Sequence, residues 1–256
     1  MGDGRRTPLH DALSPLPFYW RAWRYRLRVE PREIAYLLDT LRPGDCAIDI
    51  GAHRGGYLHW MRKQVGPRGR VIAFEPQPLL AAYLRKMVAR LGMGEVTVEE
   101  MAVSDAAGEA ILEVPEGGPA CGATLERGLV RGSSDARTVT ACTLDDYLAR
   151  TPGLAPRLIK CDVEGHELRV FRGAGRVLRE ARPRLVFECE ARHHPRDSMQ
   201  AVFDDLIGRG YCGHYHYRAA LHPVRDFTPE LQRDPKARKS YVNNFIFHPR
   251  EEACPT

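Results

Sequence analysis

Apolar residues recur with two periods along this chain, and the periods alternate. From Pro31 to Leu41 the positions Ile34, Ala35, Leu37, Leu38 and Leu41 repeat at helical spacing and stop at Pro43-Gly44, which predicts a helix. Asp45–Ile50 is then a short apolar run entering a glycine-bearing turn, and Tyr57–Val65 resumes the helical period. The same alternation predicts strands at Arg70–Glu75, Val96–Val103, Arg157–Asp162 and Arg184–Glu190, with helices over Leu79–Leu91 and Leu168–Ala181. Later strands are expected at Tyr211–Tyr217 and Val242–Phe247. Strands alternating with helices imply a parallel sheet covered on both faces.

Two further β segments, Ala110–Pro115 and Thr138–Cys142, flank a Gly- and Ser-rich loop from Glu116 to Ser134. They read as an insertion at about 108–142 within one domain spanning 31–250, with an arm at 1–30 and a tail at 251–256. The arm mixes aromatic rings with arginines from Phe18 to Arg28. Such a segment either packs its rings on the core with guanidinium groups in water, or clamps an anionic or sugar ligand.

Composition narrows the class. The chain has 256 residues, 43% hydrophobic and 28% charged, enough for a sizeable core and with no long uncharged apolar run, so neither a membrane span nor wholesale disorder is expected. The net charge of +5 is spread along the chain, which does not make the footprint of a nucleic-acid binder. Seven cysteines without a C-x-x-C pair predict a reduced, cytoplasmic protein, and no apolar signal region follows Met1.

The chemistry concentrates at strand ends. Asp49-Ile50-Gly51-Ala52-His53-Arg54-Gly55-Gly56 closes the first strand, where open α/β sheets bind ligands and where glycine lets a ligand meet bare backbone. Glu75 closes the second strand at the position from which a carboxylate grips ribose hydroxyls. The loop lacks the G-x-G-x-x-G of a dinucleotide site, and Asp49 would repel a pyrophosphate, so NAD ranks second to S-adenosylmethionine, whose amino-acid end is cationic.

Asp49–His53, Ala73-Phe74-Glu75-Pro76, Ala102-Val103-Ser104-Asp105, Thr143–Tyr147 and Ile159–Glu167 together resemble, in order and spacing, the FkbM family of S-adenosylmethionine-dependent methyltransferases. The resemblance implies a class I methyltransferase α/β fold, Rossmann-like: seven strands, mostly parallel, the last antiparallel, with helices on both faces. It implies O-methylation of a sugar or natural product. It also implies cofactor contacts from Asp49, Gly51, Ala52, His53, Gly55, Glu75, Pro76, Ala102, Val103, Ser104 and Asp162. At His53 many members carry Asn.

Transfer to a hydroxyl needs a base, because an alcohol does not ionise at neutral pH. Asp162, Glu164, His166 and Glu167 follow the fourth strand, and Glu188, Glu190, His193 and His194 follow the fifth, so the two groups should share one rim. Asp162, Glu164, His166, Glu190 and His193 are the catalytic candidates. A divalent metal on these acids ranks below a metal-free mechanism, since no ligand spacing enforces it. The expected partner is a small-molecule or saccharide hydroxyl acceptor, with no nucleic acid and no membrane span, in a monomer or homodimer. A non-catalytic scaffold and an RNA methyltransferase are the alternatives.

Overall fold

Short, fully buried strands flanked by amphipathic helices dictate the architecture, because a strand covered on both faces can be apolar throughout. The computed structural model describes residues 14–117, 121–130, 132–194, 199–218, 220–234 and 240–252; the first thirteen residues of the expected arm and the last four of the tail lie outside these. The chain opens with α1 (Leu16–Arg24), a π-helical stretch (Tyr25–Val29) and α2 (Pro31–Thr40). It continues through β1 (Cys46–Ile50), α3 (Leu58–Val65), β2 (Arg70–Phe74), α4 (Pro78–Arg90) and β3 (Val96–Glu99). Next come β4 (Ala102–Val103), β5 (Gly108–Pro115), β6 (Ser134–Cys142), α5 (Leu144–Ala149), β7 (Pro156–Cys161), α6 (Glu167–Arg172), α7 (Gly175–Glu180) and β8 (Arg184–Glu188). The last elements are α8 (Met199–Gly208), β9 (Tyr211–Tyr217), β10 (Ala220–Pro223) and β11 (Asn244–Pro249).

The large sheet runs β10-β9-β11-β8-β7-β1-β2-β3. Pairing is parallel from β3 through β8, and β11 lies antiparallel to both β8 and β9. The last strand in sequence is therefore antiparallel, as expected. The strand count is eight rather than seven, because β9 turns back into β10 and adds an edge strand. Strand order reverses at β1, with β2 on one side and β7 on the other, and this opens a crevice at the carboxyl ends of those strands.

Successive residues of one strand feed opposite layers, as a period of two requires. Ile48 and Ile50 of β1 pack with Ile159, Phe187 and side chains of α5 to α8, whereas Ala47 packs with Leu158, Val186 and side chains of α1 to α4. Trp60 is fully buried in the second layer and its indole N–H donates to the Ala22 carbonyl at 2.8 Å, which fixes α1 on α3. Truncating such a side chain costs about 3–5 kcal/mol.

Two expected elements break. The run Val96–Val103 leaves the large sheet after Glu99, and β4 instead pairs parallel with β6 in a small β4-β6-β5 sheet. Polar demand explains the break: Glu99 accepts the Tyr147 hydroxyl at 2.8 Å, and Glu100 pairs with Arg85 at 2.7 Å. The helix expected over Leu168–Ala181 divides at Gly173, whose bare backbone packs so close to the Ser104 carbonyl that a Cβ there would lie 2.0 Å from it. The insertion is an antiparallel ladder from Gly108↔Ala141 to Pro115↔Ser134, longer at its open end than the apolar pattern alone indicates. No helix among the described residues is long and apolar enough to cross a membrane.

Candidate functional site

A cavity of about 320 Å³ occupies the crevice. Its floor is the turn after β1. Gly51 has φ +77°, and a Cβ there would fall 1.9 Å from the Asp162 carbonyl, so only glycine lets this turn seat against the end of β7. The turn aims the His53 N–H at Glu75 Oε2 (2.7 Å), and the Gln77 N–H donates to Glu75 Oε1 (2.9 Å). Burial pushes the Glu75 carboxyl up to about 7, against the pull of those two N–H groups.

Asp49, on β1, is 1% exposed, and neither carboxylate oxygen has a hydrogen-bond partner among the described residues. The Lys160 ammonium is 3.8 Å from Asp49 Oδ1 and donates to Asp162 Oδ2 at 3.3 Å. Burial raises the Asp49 carboxyl to about 6 while Lys160 opposes the shift. For Lys160 burial acts to lower the value, but Asp162 and Asp49 outweigh it and hold the ammonium above its ordinary range. Lys160 also sits 5.2 Å over the Tyr57 ring, and the Tyr57 hydroxyl donates to Glu30. Burial, then the neighbouring Glu33, pushes Glu30 up to about 7.

The opposite wall carries the acid-rich rim. Glu164 has φ +53°, a left-handed conformation uncommon for a residue with a side chain, and is followed by Gly165 at φ +100°. Its Oε2 lies 3.0 Å from His193 Nδ1. Burial, reinforced by Asp162 and Glu167, raises the Glu164 carboxyl to about 8, and burial beside Arg192 lowers the His193 imidazole. Glu188 is pushed well above the carboxylate range by burial and by Asp162. Burial also acts to raise Glu190, but hydrogen bonds from Glu188, Tyr241 and Arg192 outweigh it and keep Glu190 low.

The insertion closes this wall. The Thr124 hydroxyl donates to the Glu164 carbonyl at 2.8 Å, and Glu126 lies 2.7 Å from His166 Nδ1. His166 Nε2 is 2.9 Å from Ser104 Oγ. Both imidazole nitrogens are therefore engaged, and His166 ties the insertion to the end of β4.

Of the residues expected from sequence, Asp49, Gly51, Ala52, His53, Glu75, Pro76, Ala102, Val103, Asp162, Glu164 and His166 line one cavity. Gly55, Ser104, Glu190 and His193 lie behind its wall. Gly55 (φ +77°) is packed against Phe18, Ser104 and His193 stand behind His166 and Glu164, and Glu190 is bonded to Tyr241 at 2.8 Å. Of the other lining residues, the sequence reading placed Arg21 and Tyr25 in a segment that either packs on the core or clamps a ligand and put Glu188 on the acid-rich rim, and it missed Glu30, Lys160 beside Asp162, and Asn243 before β11. Lys160 had a signal, since it precedes Cys161-Asp162 in the same motif; the others arrive from distant sequence. The N-terminal segment packs on the core through Phe18 and Ala22, as one of its two readings expected, and Arg21 and Tyr25 line the cavity. Glu167 and His194 of the rim, with Cys189, bring three candidate ligand atoms within 4.8 Å of one another, and this group lies outside the cavity lining.

A model of the methyltransferase FkbM domain matches residues 49–227. The structure is similar to the crystal structure of methyltransferase FkbM from Methylobacillus flagellatus KT, at 19% identity and a TM-score of 0.52. The match covers 93% of this chain and 60% of that one, so the chain spans less than two thirds of that protein's length. A SAM dependent methyltransferase from Aquifex aeolicus is similar at 14% identity and a TM-score of 0.47, covering 92% of this chain and 97% of the other. No curated protein sequence matches the chain.

Proposed function

The chain belongs to the FkbM methyltransferase family, and from that premise we propose that it transfers the methyl group of S-adenosylmethionine to a hydroxyl of a saccharide or another small natural product. The Asp49 carboxylate carries this assignment. Its two buried oxygens accept no hydrogen bond among the described residues, and the Lys160 ammonium stays 3.8 Å from one of them, so the ammonium of an amino-acid end is favoured as a hydrogen-bonding cation there. Glu75, its oxygens steadied by the His53 and Gln77 N–H groups, keeps lone pairs for ribose hydroxyls. Ala102, Val103, Met101 and Phe74 offer an apolar wall for the base. An acid beside the first turn suits this ligand and disfavours a pyrophosphate.

When bound, S-adenosylmethionine supplies an electrophilic methyl group on a sulfonium. The chain has to hold the acceptor in line and take its proton. Alignment alone is worth effective molarities of ~10⁵ M or more. Glu164 is the base: it lines the cavity and its proton affinity lies near working pH, where general bases are most effective. His193, held neutral behind it, fixes the carboxylate and acts as a positioning residue. Glu188 and Asn243, both lining the cavity, present polar groups to a polyhydroxylated acceptor, and Asp162 with Lys160 forms the fixed edge between donor and acceptor halves. No step here requires a metal. Thiols that are free throughout the described residues fit a reducing, cytoplasmic setting.

Calorimetry with S-adenosylmethionine, followed by mass spectrometry on a panel of glycosides and hydroxylated metabolites, tests the proposal. Binding that Asp49→Asn weakens, and a product heavier by one methyl group that Glu164→Gln suppresses, are expected. A cofactor that gives neither heat nor thermal shift overturns it.

A further inference from the structure

The N-terminal segment has a second face. Residues 14–29 contain four arginines (Arg21, Arg24, Arg26 and Arg28) and neither Asp nor Glu. Phe18 and Ala22 anchor the segment in the core, and four other positions point outward: Leu16 is 75% exposed, Trp20 63%, Trp23 47% and Leu27 65%. Spacings of four, three and four residues place these side chains on one stripe of a helical surface. Cations border the stripe. The Arg24 guanidinium lies 5.6 Å over the Trp20 ring, Arg26 5.8 Å over Trp23, and Lys63 of α3 stands over Trp60 beneath them.

From this arrangement we propose that α1 and the π-helical stretch dock the protein on an anionic lipid surface, lying in the plane of the headgroups. The chemistry selects this occupant. Tryptophan and leucine on one side with arginine at the margins is the composition of an interfacial helix: the rings and aliphatic groups enter the headgroup boundary while the guanidinium groups meet lipid phosphates. A second copy of this chain fits worse, because the same face brought against itself opposes arginine to arginine. A nucleic acid would use the arginines and the indoles but leave Leu16, Leu27 and the exposed Pro17 in water. The docking face and the cavity share this segment, Arg21, Tyr25, Val29 and Glu30 lining the cavity from its other side. The inference does not depend on the reaction catalysed.

Cosedimentation of the full chain with vesicles of phosphatidylcholine alone, or of phosphatidylcholine with phosphatidylglycerol, tests it. Binding to the anionic vesicles is expected, with a blue shift of tryptophan emission, since Trp60 is already buried and the change reports Trp20 and Trp23. Trp20→Ser with Trp23→Ser should abolish the shift and the binding. Arg24→Gln with Arg28→Gln should weaken binding about thirtyfold, as expected for two charges at such a surface, and reduce its salt dependence. All positions changed are exposed, and unchanged thermal unfolding verifies that the variants fold. Any one of three results overturns the proposal: a full chain that remains in the supernatant with both vesicles, binding that the tryptophan variant retains, or a dimer or RNA complex that forms in place of vesicle binding and is lost in that variant.

Discussion

Glu164 Oε2 lies 3.0 Å from His193 Nδ1, joining the loop after β7 to the loop after β8. The carboxylate faces the cavity and the imidazole backs it, which divides a catalytic from a positioning role. Glu164→Gln should lower kcat by about 10²- to 10⁴-fold, the usual worth of a general base, with cofactor affinity unchanged. His193→Ala should cost less and displace the pH profile. In the parent, kcat/KM should rise with pH through about 8, because only the deprotonated Glu164 accepts a proton. A flat profile between pH 6 and 9 would remove Glu164 from the mechanism.

Asp49 offers a separate test of the donor half. Asp49→Asn keeps the shape and removes the charge, and loss of a charge-assisted hydrogen bond worth about 1.5–3 kcal/mol should weaken S-adenosylmethionine about 10- to 100-fold. Affinity in the parent should fall as pH drops below about 6, where Asp49 takes up a proton. Calorimetry across that range checks both.

The cavity carboxyls also predict an unusual stability profile for the unliganded chain. Glu30 and Glu75 are raised to about 7 and Glu164 to about 8, so the folded state keeps protons that the unfolded chain has already released. Stability from these groups is present at low pH and is lost as pH rises through their folded values. His53, His59 and His216, lowered by burial to about 4, act oppositely: the unfolded chain binds their protons first, so acidification below about 6.5 costs stability. Thermal unfolding should therefore shift upward from about pH 8 to about pH 6.5, and the gain should diminish below that. A midpoint that falls over the first interval contradicts the assignment of these protons.

Gly51→Ala combines backbone strain with a collision against the Asp162 carbonyl. Gly44→Ala, at φ +95° with nothing within 4 Å of the added methyl, carries the strain alone, about 1–2 kcal/mol. The Gly51 variant should be clearly the less stable by denaturant titration and should lose cofactor binding, which the Gly44 variant retains.

The parts of the site that sequence made legible are those held by local geometry. Asp49 and Glu75 each close a strand whose apolar run is readable, and a strand end fixes where the next side chain lies. Glu30 and Asn243 arrive from elements far away in sequence, and nothing in their neighbours signals a cavity. His166 shows the reverse limit: its motif suggests catalysis, whereas Glu126 and Ser104 occupy both ring nitrogens, and neither partner could be paired with it from spacing alone. The division of the long helix at Gly173 likewise depends on the Ser104 carbonyl, a contact between segments that no local pattern encodes. The tenth strand escaped notice because His222 and Pro223 do not read as a strand, and its pairing with Tyr215 and His214 at the sheet edge supplies what propensity does not.

The ladder of β5 and β6 pairs with the two residues of β4, which follow β3 along the chain, and its far end is fastened by the Thr124 hydroxyl and the Glu126 carboxylate. Such a unit is a cassette. On the function proposed above, a change of acceptor calls for exchanging this one hairpin while the β1 turn and Glu75 stay where they are.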